Sequence, residues 1–147
     1  MTSSWYDRLV NMPGSEPEKG AREILVIDDH SEAREIIVTL LARLGWATRQ
    51  AATGAEGLEV MKAGRDCIGL ALVDVILPDT DGMSLARQLR SEYPRLPIVL
   101  LSGQLNDESR WIVSAEGFRF LPKPFNLTQL RDVVAEMLGD AGPMAPT

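Results

Sequence analysis

Asp28, Asp29, Asp74, Ser102 and Lys123 supply three carboxylates, a hydroxyl and an ammonium, and they stand at the ends of short apolar runs. Residues 24–27 lead into the acidic pair, 70–73 into Asp74, 98–101 into Ser102 and 118–122 into Lys123. Gathered in one place, such groups suit a divalent cation and a phosphoryl group. A hard cation such as Mg2+ takes oxygen ligands and keeps some of its waters. Three carboxylates packed together without a counter-charge repel one another. A carboxylate can also act as a nucleophile and form an acyl phosphate. The oxygens of a moving phosphoryl group then need neutralising charge and hydrogen-bond donors. Lys123 offers the charge, Ser102 a hydroxyl, and the loop after Asp74 its backbone N–H groups. One Asp after a strand is an ordinary turn former or helix cap. A tandem pair and a third Asp, each directly after an apolar run, favour cation binding instead. Asp74, nearest the middle of the expected sheet, is the candidate nucleophile.

The segments that must position these groups alternate between strand-like and helix-like patterns. Strands are predicted over 24–28, 47–51, 69–73, 97–101 and 118–121. Helices are predicted from Ser31 as cap to a stop at Gly45, and over 54–63, 83–91 and 106–115. A last helix starts at an Asn126 cap and carries Leu127, Leu130, Val133, Val134, Met137 and Leu138 on one side. The central runs lack polar alternation, as expected of parallel strands covered on both faces. Five βα units with right-handed crossovers give a doubly wound α/β sheet. The ends of its first, third, fourth and fifth strands meet along one edge, where open α/β sheets bind ligands.

Composition narrows the function further. The 147 residues, 45% hydrophobic and 24% charged, suit one domain. A net charge of −6 argues against direct DNA binding. No stretch approaches the length of a membrane span, no secretory signal is evident, and a cytoplasmic protein is expected. One Cys and one His cannot build a typical zinc site. Residues 1–22 and 140–147 read as tails around a domain at 23–139, and Met1 with its tail suggests an intact small protein. Trp5, Tyr6, Leu9, Val10 and Met12 have the spacing of one apolar turn that would dock on the domain or a partner, although a loose tail is the simpler reading. Cys67 reads as a partly buried bystander and Trp46 as a packing residue. His30 follows the acidic pair. Tuning of metal affinity and phosphoryl acceptance are both chemically open to it, and an exposed place at the start of the first helix is the plainer reading.

Over residues 23 to about 139 the sequence resembles the receiver domain of two-component response regulators. The matching pieces are Asp28-Asp29, Asp74 followed by Pro78-Asp79-Thr80-Asp81-Gly82, Ser102-Gly103, and Phe120 through Lys123-Pro124-Phe125. Their order and spacing carry the resemblance, since each piece alone is weak. It implies a five-stranded flavodoxin-like sheet of order 2-1-3-4-5 with five helices. It also implies that Asp74 takes a phosphoryl group from a phosphohistidine on a sensor histidine kinase or histidine phosphotransfer protein. Asp29, Asp74 and the backbone carbonyl of Ile76 would hold Mg2+ directly, and Asp28 mainly through water. Lys123 would pair with the phosphate, and its bond to Pro124 would be cis. Ser102 would move toward the phosphate and Phe120 would turn inward behind it. The signal would leave by the face made by the fourth helix, the fifth strand and the fifth helix.

Three positions depart from the commonest pattern. Ser102 stands in place of Thr, Gly103 in place of Ala, and apolar Ile76 sits where many relatives are polar. Ile76 and Gln104 would flank the hydrolytic water, and Ile76 is expected to slow it. Trp111, Ile112 and Val113 fall near the expected output face and raise self-association through it as a hypothesis. The nine residues after Leu138 cannot form a DNA-binding unit, so a stand-alone receiver acting on a protein target leads, with a phosphate sink or relay as a variant. A pseudo-receiver adaptor independent of phosphorylation is the alternative. An aspartyl phosphatase is remote because Ile76 occupies the place of its second acid. A nucleotide- or flavin-binding domain lacks its glycine motif.

Overall fold

A computed structural model describes residues 23–103 and 115–139. Its elements run β1 (Glu23–Ile27), α1 (Ser31–Arg43), β2 (Ala47–Ala51), α2 (Gly54–Gly64), β3 (Ile68–Asp74), α3 (Gly82–Glu92), β4 (Ile98–Ser102), β5 (Arg119–Pro122) and α4 (Leu127–Leu138). The helix expected over 106–115, the Trp111–Val113 patch, Gln104 and both expected tails lie largely or wholly outside the described residues.

The five described strands form one parallel sheet in the order β2-β1-β3-β4-β5, as expected. Side-chain alternation sends each central strand into two cores. Leu25, Ile27, Ala71, Val73, Ile98 and Leu100 pack under α2 and α3 with Met61, Leu85 and Leu89. Ile24, Val26, Leu70, Leu72, Val99 and Leu101 pack under α1 and α4 with Ile37, Leu41, Leu130 and Val134. That two-sided burial is why these strands read as unbroken apolar runs. The alternation slips once. Glu23 faces Ile68 but Ile24 faces Leu70, so Gly69 is skipped and Ile68 joins the α2/α3 side. A glycine fits a bulge of this kind.

Helix ends follow local chemistry. Asn126 caps α4 by accepting the Gln129 N–H, and the Gln129 side chain returns a bond to the Asn126 N–H. At the end of α1, Gly45 adopts φ 93°, its N–H reaches the Ala42 carbonyl, and the Trp46 N–H reaches the Leu41 carbonyl. This left-handed stop is the one expected of Gly45, and it folds Trp46 into the core beside Leu41. The start of α1 corrects the expected cap. Ser31 is the first helical residue and His30 is the N-cap, without a side-chain capping bond. The Asp28 carboxylate accepts the His30 N–H at 3.0 Å and turns the chain into the helix one residue early. Negative charge there also suits the helix N-terminus.

Candidate functional site

Strand register brings the acids together. Ile27 pairs with Val73, so Asp28 comes level with Asp74 one residue further along the two central strands. Ser102 pairs with Pro122, and the Lys123 N–H donates to the Ser102 carbonyl at 3.0 Å. Lys123 therefore leaves the last strand pointing back over the middle of the sheet. Its Nζ donates to Asp28 Oδ2 and to Asp74 Oδ2, both at 3.0 Å. The Asp28 side chain is fully buried, that of Asp74 is 9% exposed and that of Lys123 is 26% exposed. Burial disfavours the ammonium, but its hydrogen bonds to Asp74 and Asp28 outweigh that, and the Lys123 pKa is raised. The Lys123–Pro124 peptide bond is cis, as the resemblance implied.

The remaining oxygens are held in different ways. The Ile76 N–H donates to Asp74 Oδ1 at 3.0 Å and fixes the carboxylate plane. Asp29 Oδ1 is buried and has no hydrogen-bond partner. A buried, unpartnered carboxylate oxygen is costly, and a cation beside it removes the cost. One ligand atom each from Asp28, Asp29, His30 and Asp74 lies within 4.8 Å of the others. Three carboxylates face a single ammonium here, so the group as a whole is short of positive charge. The residues present fit a divalent cation on both counts.

The loop after Asp74 is tied down at two points, Asp79 and Asp81, to which the sequence reading gave no role beyond the motif they belong to. The Asp79 carboxylate accepts the N–H groups of Gly54 and Ala55, each at 2.9 Å, at the start of α2. Those two bonds hold the Asp79 pKa below the usual value. Asp81 caps α3, taking the Ser84 N–H on Oδ1 and the Ser84 hydroxyl on Oδ2, each at 2.8 Å. The Ser84 N–H and then its hydroxyl likewise lower the Asp81 pKa. Gly82 lets α3 start against the strand, because a Cβ there would collide with the Asp74 carbonyl oxygen. Arg34 was also missed. Its guanidinium donates to the Asp28 carbonyl at 2.6 Å and to Gln50 at 3.0 Å. The Asp81-to-Ser84 spacing could have revealed the α3 cap. No local spacing points to the Asp79 contact.

The other expected residues are placed as follows. Ser102 is buried beside Asp74's strand. Phe120 is half-buried and packs against the core under α2 and α3. Ile76, two residues beyond the end of β3, is 60% exposed, unusual for so large an apolar group. His30 is exposed, as expected, yet its Nδ1 lies 3.3 Å from Asp29 Oδ1. Cys67 is partly buried and Trp46 buried, as expected.

Comparison with known proteins agrees with this fold. The family model of the response regulator receiver domain matches residues 24–135. Among curated relatives, the chain is 35% identical over 120 residues to the sensor kinase CckA of Brucella abortus, covering 81% of this chain and 13% of that protein. It is 32% identical over 126 residues to the response regulator protein PilR of Pseudomonas aeruginosa, covering 84% of this chain and 28% of PilR. The chain thus spans well under half of these two relatives. Among solved structures, the receiver domain of NtrX from Brucella abortus superposes with a TM-score of 0.72 at 29% identity, covering 78% of this chain and 97% of that one. The chemotaxis protein CheY4 of Vibrio cholerae gives 0.72 at 26% identity, covering 79% and 98%. The family match encloses both strands of the acidic edge, the lysine that bridges them and most of the last helix; the chain belongs to the response regulator receiver domains, the signalling phosphoacceptors of two-component systems.

Proposed function

We propose that Asp74 accepts a phosphoryl group from a phosphohistidine on a sensor histidine kinase or a histidine phosphotransfer protein, and that the product switches a protein-binding face. The observation that carries this reading is the Lys123 ammonium, 3.0 Å from a carboxylate oxygen of both Asp28 and Asp74. It ties the phosphoacceptor to the acidic pair and stands where a new phosphoryl group would need a counter-charge.

In the transfer, an Asp74 carboxylate oxygen attacks phosphorus while the P–N bond to the donor imidazole breaks. The imidazole leaves with the bonding electron pair and takes up a proton. Lys123 then pairs with a phosphoryl oxygen in place of Asp74, and Ser102 donates its hydroxyl proton to another. The Ile76 N–H keeps the carboxylate aimed throughout. Bound Mg2+ supplies positive charge to the moving oxygens. Asp29, Asp74 and the Ile76 carbonyl would hold it directly and Asp28 through water. Phe120 follows Ser102 as the inward-turning switch residue. This chemistry makes the chain a phosphoacceptor with self-dephosphorylation only. A protein target, not DNA, fits the net charge of −6. No described helix is long and apolar enough to cross a membrane, which fits a cytoplasmic place.

Intact mass after incubation with acetyl phosphate and Mg2+ tests the reading. One phosphoryl adduct that requires Mg2+ and is absent in Asp74→Asn is expected. No adduct, together with no binding of beryllofluoride at Asp74, would move the phosphorylation-independent adaptor to the front. Exposed Ile76 beside the acceptor is proposed to keep the hydrolytic water unaligned. Ile76→Asn should shorten the acyl-phosphate lifetime, and an unchanged lifetime refutes that role.

A further inference from the structure

The phosphoryl chemistry leaves the His30 side chain without a task, yet the chain holds it at the acidic pair. Its backbone N–H is anchored on Asp28 Oδ1 at 3.0 Å. As the N-cap of α1 it makes no side-chain capping bond. Its Nδ1 lies 3.3 Å from Asp29 Oδ1 and 3.8 Å from Asp28 Oδ1. Asp29 Oδ1 is the buried oxygen without a hydrogen-bond partner, so the 3.3 Å approach leaves it unsatisfied. With Nδ1 unprotonated, that nitrogen and Asp29 Oδ1 are two electron-pair donors facing one space. Adjacent ligands about 2.1 Å from an octahedral ion stand about 3 Å apart, and opposite ones about 4.2 Å. The 3.3 and 3.8 Å separations fall in that range, and the whole four-residue set spans no more than 4.8 Å. The ring is 75% exposed and adjusts without disturbing the core.

We infer that His30 is a nitrogen ligand of this cation site and determines which cation it prefers. The inference rests on the cation reading proposed above and adds a ligand to it. Carboxylates, carbonyls and water suit Mg2+, whereas imidazole favours transition-metal dications and gives Mg2+ little. With His30 engaged, the edge holds Co2+ or Mn2+ in clear preference to Mg2+. With His30 removed, it becomes an all-oxygen site that discriminates less.

The test uses the full chain and the metal alone. Calorimetric titrations with Mg2+ and with Co2+ are run on the wild type, His30→Ala, His30→Gln and Asp29→Asn. Both His30 variants should lose Co2+ affinity by roughly tenfold or more, at least what an outer-shell partner of a metal site is worth. Their Mg2+ affinity should move by less than about twofold. Pulsed electron paramagnetic resonance of the Mn2+-loaded wild type should show a nitrogen coupling that both variants lack. An unchanged Co2+-to-Mg2+ ratio with no nitrogen coupling overturns the role of His30. If Mg2+ still binds the wild type and not Asp29→Asn in that case, the cation reading stands without His30. If the wild type binds neither ion, the cation reading falls and takes this inference with it.

Discussion

Carboxylates meet cations at both ends of the sheet, under opposite conditions. Near the N-terminal edge, Arg49 of β2 donates to Glu23 of β1 at 2.5 Å, with side chains 35% and 30% exposed. One charge answers one charge, and water screens both. At the C-terminal edge, Lys123 reaches two carboxylates that are nearly or fully buried, with Asp29 beside them. There the signs do not balance, and little water reaches the two bridged acids. An exposed pair is worth about 0–1 kcal/mol, so the first arrangement changes little if lost. Buried like charges raise the energy of the fold until a cation arrives. The acidic edge is therefore poorly arranged for stability alone and well arranged for binding. The contrast separates a charge pair that decorates the surface from a cluster whose unbalanced charge suits a cation.

Removing the bridging ammonium should expose that contrast most strongly. Lys123→Ala leaves Asp28 and Asp74 facing each other, and should cost about 3 kcal/mol in metal-free urea denaturation, the low end for breaking a buried pair. It should also slow phosphoryl uptake by Asp74 by orders of magnitude. A loss no larger than that of Arg49→Ala would erase the difference between the two edges. The pH dependence has a definite sign. Lys123 has a raised pKa in the fold, so its contribution is whole below the ordinary value of 10.5 and fades as pH climbs through the folded value. The gap between wild type and variant attributable to this group should stay flat through neutral pH and narrow only in strong alkali.

Cation binding comes next in size. At one hundred times its dissociation constant, Mg2+ should stabilise the wild type by about 2.7 kcal/mol, read as a rise in melting temperature. Asp29→Asn should show little of that rise. Without metal it should be at least as stable as the wild type, because one of the crowded charges is gone. A variant less stable than the wild type in metal-free buffer would mean that Asp29 is satisfied without a cation.

What could be read in the sequence follows the same division between local and long-range physics. The apolar runs announced β1, β3 and β4, because strands buried on both faces cannot hide their composition. Asp28, Asp74 and Ser102 were legible because each follows such a run and parallel strands share a direction, and Lys123 because it follows the short edge strand β5. That Asp28 stands level with Asp74 needed the register, which the Gly69 bulge shifts by one residue. The cap of α1 was expected at Ser31 and falls one residue earlier, at His30, because the Asp28 carboxylate holds the His30 N–H, a contact that no capping pattern announces. The Asp79 contact with Gly54 and Ala55 joins residues 25 and 24 positions apart through tertiary folding alone.

A smaller effect is expected at the cap of α3, which lies between the two edges in character. Asp81→Ala removes the bonds to the Ser84 N–H and hydroxyl and should cost about 1 kcal/mol at neutral pH. The Asp81 pKa is lowered in the fold, so its contribution is present above the ordinary value of 3.8 and lost as pH falls through the folded value. Urea curves for wild type and variant should therefore converge in acid. Curves that stay parallel would assign the cost to lost packing and not to the charged cap.

The smallest effect should be at Arg49 and Glu23, where the comparison is sharpest. A double-mutant cycle of Arg49→Ala and Glu23→Gln should give a coupling below about 1 kcal/mol. It should shrink as salt rises toward 1 M, where the screening length falls to about 3 Å. A cycle at Lys123 and Asp28 should keep most of its coupling in the same salt, because its carboxylate partner is out of contact with solvent. Equal salt sensitivity at the two edges would show that solvent reaches the acidic cluster as freely as the surface pair, and its excess negative charge would then need no cation to be tolerated.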